Sequence, residues 1–268
     1  MAFLHIRVSV KIILGVSIAA ALAGAVFVIM RDVSSTAPDD ATSGDDLTRV
    51  MSTTTDEVSG AEDVESASQE TETLAALRQR MPDLSRPVEI RTPLLPEIAQ
   101  ETEDEIRALT ESLDAEFNYL PGWLQLAALR KLIGDYEGAR EAWEFATVLR
   151  PKSYVAFHNL GELYGFTLNN YPKAEENFLT SIALEPKNLD AYKSLATVYQ
   201  YRYKEKQAET DDILLRGIEV FPKESSLLVM LARYYAASNN LAEARKYYEK
   251  AIALEPENTD LKKELNTL

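Results

Sequence analysis

The 268-residue sequence predicts an all-α protein. Its expected architecture is an α-solenoid of about four helix-turn-helix repeats with a C-terminal capping helix, joined through a disordered linker to an N-terminal transmembrane helix. Three observations predict it. One line is written several times, as "AWEFATVLRPKS" at 142–153, "NFLTSIALEPKN" at 177–188 and "YYEKAIALEPEN" at 247–258. An uncharged run of 19 residues, "IILGVSIAAALAGAVFVIM", fills positions 12–30. Between the two, residues 32–75 hold twelve acids against one base, Arg49, and no aromatic residue.

Residues 1–31 are read as the anchor. A helix rising about 1.5 Å per residue over that run spans roughly the 30 Å hydrocarbon core of a bilayer. The alternative is a cleavable signal peptide, for which Ala21 and Ala23 would supply a small-x-small site. Against it, the apolar stretch of a signal peptide is usually about 7 to 15 residues. Arg7 and Lys11 precede the run and only Arg31 follows it closely. The positive-inside rule then sets the N-terminus in the cytoplasm and the repeats outside it, in a single-pass membrane protein.

Residues 32–75 form the acidic Ser/Thr-rich linker. It cannot bury enough apolar surface to offset the entropy of ordering, so disorder is expected. A flexible coil of that length separates its ends by about 35 Å. The linker also accounts for most of the formal charge of −15 on the whole chain. An acidic chain without a basic stripe argues against a nucleic-acid partner.

Residues 76–119 read as a helical extension or half-repeat, with Ile106, Leu109 and Leu113 on one face. The array itself runs from 120 to 258. Its closing prolines, Pro151, Pro186, Pro222 and Pro256, are spaced by 35, 36 and 34 residues. A unit that short cannot bury a core alone and must stack on its neighbours. Large side chains recur at helical offsets: Trp123, Leu126 and Trp143, then Phe157, Leu160, Tyr164 and Phe178, then Tyr192, Leu195, Tyr199 and Leu214, then Leu228, Leu231, Tyr235 and Tyr248. Two amphipathic helices per unit follow. Small residues at Ala127, Gly161, Ala196 and Ala232 suit close approach of helices, where a larger side chain would overpack. The proline ends the second helix. Two residues on come Ser153, Asn188, Glu224 and Asn258, three of which, the serine and the two asparagines, are good N-caps for the next helix. In the third unit two extra residues around "YKEKQAETDD" leave the register open between Ala208 and Thr210. Residues 259–268 complete the array as the capping helix.

This pattern resembles the tetratricopeptide repeat, whose signature of roughly 34 residues is met by "FHNLGELY", "YPKAEENFLTSIALEPKN", "LARYY" and "LAEARKYYEKAIALEPEN". One departure is Arg130, which stands where the first unit should carry tyrosine. The resemblance implies a concave surface, lined by the first helices, that takes a protein or peptide. Carried over position by position, its candidate contacts are Leu124, Lys131, Leu132, Val155, His158, Phe166, Lys193, Tyr201, Val229 and Arg233. Lys131, His158, Lys193 and Arg233 are its expected cations, and Tyr201 and Phe166 its expected aromatic anchors. The carboxylate clamp with which some relatives hold acidic chaperone tails is incomplete, since Asp190 and Ser194 stand where its last two cations belong.

No catalytic constellation is visible. The chain has no cysteine and two histidines, His5 and His158, which excludes thiol chemistry and thiolate metal sites. No glycine-rich phosphate loop is present. Once anchor, linker, array and cap are assigned, no stretch remains for a catalytic domain. A non-enzyme without cofactor or metal is expected: a membrane-anchored scaffold that recruits a protein partner. The alternatives are a structural subunit or assembly factor of an envelope, pilus or secretion complex, or a chaperone-like holder of exported proteins.

Overall fold

The computed structural model describes residues 73–268. The predicted transmembrane helix at 12–30 and the acidic linker up to residue 72 lie outside the described residues. Among the described residues, no helix is long and apolar enough to cross a membrane.

The array alternates first and second helices. The first unit comprises Leu120–Leu132 and Tyr136–Leu149, and the second Tyr154–Glu162, continued by a π turn at Leu163–Thr167, and Tyr171–Leu184. The third is Leu189–Tyr201, a 3-10 segment Lys204–Glu209 and Thr210–Val220, and the fourth Ser225–Ala237 and Leu241–Leu254. Thr259–Asn266 closes the row, and Pro96–Ala115 packs on the first helix of the first unit. In chain order these helices are α1 (Pro96–Ala115), α2 and α3, α4 and α5, α6 and α7, α8 and α9, and α10 (Thr259–Asn266).

Turn chemistry explains the boundaries. Gly134, Asn169 and Asn239 take left-handed φ of 81°, 53° and 58°, which glycine and asparagine tolerate best. Each precedes a residue whose side chain caps the second helix: Asp135, Asn170 and Asn240 accept from the N–H groups of Gly138, Lys173 and Glu243. Their own N–H groups donate back to Arg130, Tyr164 and Tyr235 at 2.8 Å, which satisfies carbonyls left open at the first-helix end. The varying period is absorbed at this same corner. The one extra residue of the second unit goes into the π turn, where the N–H of Leu168 donates to Leu163 at 2.9 Å. The two of the third go into the 3-10 segment, which delivers Thr210, fully buried, to the place held by Ala139, Ala174 and Ala244. Thr210 rather than Ala208 therefore sets the third register.

The prolines sit two residues beyond the last residue of each second helix. In every case they follow the first residue of a tight turn: Ser153, Asn188, Glu224 and Asn258 donate to the carbonyls of Arg150, Glu185, Phe221 and Glu255 at 3.0 to 3.1 Å. Asn188, Glu224 and Asn258 cap the next helix with their side chains, whereas Ser153 holds the N-cap position without a side-chain cap bond. Behind the turns, Ala127, Gly161, Ala196 and Ala232 are buried between helices. A Cβ on Gly161 would meet the Phe178 ring at 2.7 Å, closer than a packed core admits.

The predicted extension differs in one respect. Helix occupies 73–79 and α1, while 81–95 form an irregular strap. Pro82, Pro87 and Pro93 remove donors and hold the preceding residues extended. On α1 the expected face is realised, with Ile106 and Leu113 fully buried. Met81, Leu84, Val88 and Ile90 of the strap pack against the core, and the strap is tied to the corner of the first unit by Arg91 N–H to Ile133 and Thr92 Oγ1 to Leu132, both at 2.7 Å.

Candidate functional site

The first helices of the second and third units are bonded directly to one another, and that of the fourth to the closing helix. Ser194 Oγ of α6 donates to Glu162 of α4 at 2.5 Å, and Arg233 of α8 holds Glu264 of α10 through two N–H groups at 2.9 and 2.7 Å. In the second and third units the first helices, α4 and α6, approach one another more closely than the second helices do.

Tyrosines stitch each unit to the one before it. Tyr164, Tyr199 and Tyr235 donate to Glu144, Glu175 and Asp211 on the preceding second helices, at 2.6, 2.6 and 3.1 Å. Burial and the carboxylate acceptor together push the Tyr164 phenol up to about 12. Tyr248 repeats the device towards α10, donating to Glu264 at 2.8 Å.

At the first unit Arg130 replaces the tyrosine and does different work. It is 2% exposed, donates to Asp135 at 2.7 Å, and reaches the strap carbonyls of Arg86 and Pro87 at 3.0 and 3.2 Å. Arg86 itself bridges Asp135 and Glu141, at 3.0 and 3.1 Å. Burial would raise the Asp135 carboxyl, but bonds from Arg130, the Gly138 N–H and Arg86 outweigh it and hold it below the usual carboxylate range. Gly138 is required beside this cluster, since a Cβ there would overlap Asp135 Oδ2. Sequence reading singled out Arg130 as an exception and missed its partners.

The ten groove candidates divide by exposure. Leu124 and Val155, at 2% and 1% exposed, are corrected from ligand contacts to packing residues, because α2 and α4 are flanked on both sides by other helices. Val229 is half-buried against the core. Leu132, 37% exposed, and Tyr201, 68% exposed, stand at the C-terminal ends of α2 and α6. Phe166 lies between them in chain order, in the π turn, with the Arg202 guanidinium 5.3 Å from its ring. Lys131 and Lys193 are half-exposed and, among the described residues, make no ion pair.

Two expected cations are corrected. Arg233 is already neutralised by Glu264, because α10 takes the place of a further first helix and presents its carboxylate there. The charged form of His158 is disfavoured: burial drives its pKa down, Glu162 and Asp190 pull the other way, and Lys131 adds to the lowering. Its ring lies edge-on to Phe178 with 5.8 Å between centroids, and Nδ1 is 3.5 Å from the Asn188 amide. Among the described residues no cluster of His, Asp or Glu could hold a metal ion.

Comparison with known proteins places this geometry in a class of helical-repeat proteins. The tetratricopeptide-repeat family model matches residues 225–258, the fourth unit. Of curated proteins, anaphase-promoting complex subunit 7 of Arabidopsis thaliana is 29% identical over 118 residues, 44% of this chain. The match spans only 21% of that relative's length. Of solved structures, MamA superposes with a TM-score of 0.52 at 23% identity, covering 63% of this chain and 99% of its own. A MamA fragment from Desulfovibrio magneticus RS-1 gives 0.50 at 20% identity, over 60% of this chain and 93% of its own. The described residues thus form an all-α repeat solenoid with the fold of tetratricopeptide proteins.

Proposed function

We propose that the protein is a membrane-anchored scaffold that recruits a protein partner through the first-helix face of its array. The observation that carries the reading is Tyr201. A tyrosine 68% exposed at the end of a well-packed helix offers contact area with little entropy to lose, and such residues dominate binding when a partner covers them. Leu132 and Phe166 extend the apolar surface, and Lys131 and Lys193 supply orientation. Residues 12–30 would anchor the chain, with a cytoplasmic N-terminus and the array held outside the cytoplasm on its acidic linker. The tetratricopeptide match and the helical-repeat relatives support an interaction role rather than catalysis.

The test is affinity capture of the full chain from carbonate-washed, detergent-solubilised membranes, scoring each co-purifying protein against the unaltered chain. Tyr201→Ala should reduce capture of the native partner at least tenfold, while Lys193→Ala should matter chiefly at low salt. Unchanged capture by Tyr201→Ala, with loss on reversing Arg140 or Lys246 of the second helices, would replace the groove by a permanently packed structural subunit. Absence of the chain from the washed membranes would remove the anchor from the reading.

A further inference from the structure

The third unit carries a second surface, between its second helix and that of the second unit, whose lining shares no residue with the proposed groove. Helix α7 has 11 residues, whereas α3, α5 and α9 each have 14. Its missing first turn is the 3-10 segment Lys204–Glu209. A cavity of about 550 Å³ opens between α5 and α7. Leu179, Ile213 and Leu215 line it together with the buried Tyr199.

The rim is acidic. Glu175, Glu209, Asp212 and Glu219 line it, against Arg216 and the neighbouring Lys206. Lys206 is already engaged, at 2.9 Å from Glu209 and 3.5 Å from Glu175. Asp212 and Glu219, both exposed, make no ion pair among the described residues. Apolar side chains beside unpaired carboxylates select a ligand by charge as well as by shape.

We propose that this cleft docks a short basic segment of a partner protein, one apolar side chain entering between Leu179 and Leu215 and flanking Lys or Arg side chains meeting Asp212 and Glu219. The scaffold would then hold two proteins at once, one at each surface.

The probe is a Lys-Gly octapeptide with one central benzophenone side chain, added to the full chain in nonionic detergent, with a Glu-Gly counterpart as control. Ultraviolet labelling should map to α5 or α7. Leu215→Arg should weaken binding about tenfold, and Asp212→Asn with Glu219→Gln should weaken it and flatten its salt dependence. The exposed Glu249→Gln with Glu257→Gln removes the same charge elsewhere and should change nothing. The Asn and Gln variants alter exposed side chains, so they keep the test valid should Leu215→Arg fail to fold. Labelling confined to residues 32–72 or to the first helices, no labelling, or equal loss in the charge control would each overturn the proposal.

Discussion

A buried arginine where a tyrosine recurs is a costly substitution unless a carboxylate and carbonyl acceptors surround it. Arg130 meets that condition only with the strap in place, through Asp135, Arg86 and Pro87. Restoring the recurrent residue should therefore fail. Arg130→Tyr is expected to lower stability rather than raise it, and Asp135→Asn to cost about 3 kcal/mol by leaving a buried cation unpaired, both measured by urea unfolding. The pH dependence has a definite sign. Because the folded Asp135 carboxyl lies below its ordinary value of about 4, its contribution is fully present above that value and fades as pH falls through the folded one. The gap between wild type and Asp135→Asn should therefore close on acidification below about pH 4. Arg130 stood out in the sequence as a break in the pattern. Its partners did not, since Arg86 lies 44 residues away and on an irregular segment, where no periodicity points to it.

At the scale of the element, the corner between first and second helices decides how each unit is built. Left-handed residues at Gly134, Asn169 and Asn239 let the chain reverse and present a capping side chain one residue later. Asn239→Ala should cost about 1 kcal/mol, since an alanine pays for the left-handed conformation with its Cβ, whereas Asn239→Gly should be close to neutral. Thermal unfolding of the two variants side by side checks this, and equal loss in both would mean that the asparagine side chain rather than its backbone matters. The helices, their small-residue contacts and the proline turns were legible because each repeats at a fixed offset. Periods of 35 and 36 residues announced extra residues, but a π turn and a 3-10 segment absorb them by different local packing that spacing alone does not distinguish. Exposure at the candidate groove was legible only in part for a related reason. Leu124 and Val155 occupy positions that face a ligand or a neighbouring helix according to how closely the helices cross.

The whole molecule is a row in which each unit leans on its neighbours, so its two ends need not be equally secure. The N-terminal end is closed by α1 and by the strap, and α2 has eight buried residues. The C-terminal end tapers: α9 buries Ala244, Tyr247, Tyr248 and Ala251, and α10 only Leu261. Leu261 and Leu265 pack α10 on the core, and Glu264 adds polar attachments, accepting from Arg233 and from Tyr248. Hydrogen exchange should accordingly be fastest in α9 and α10 and slowest from α2 to α5, because opening an end costs only the contacts of that end. Glu264→Ala cuts both attachments at once. It should raise exchange in α10 and α9 while leaving α2, α3 and α4 within error of the unaltered chain, a gradient that mass spectrometry resolves peptide by peptide. Loss of protection spread evenly from α2 to α10 would mean that the array opens as one cooperative block, and the nearest-neighbour account of its stability would be wrong.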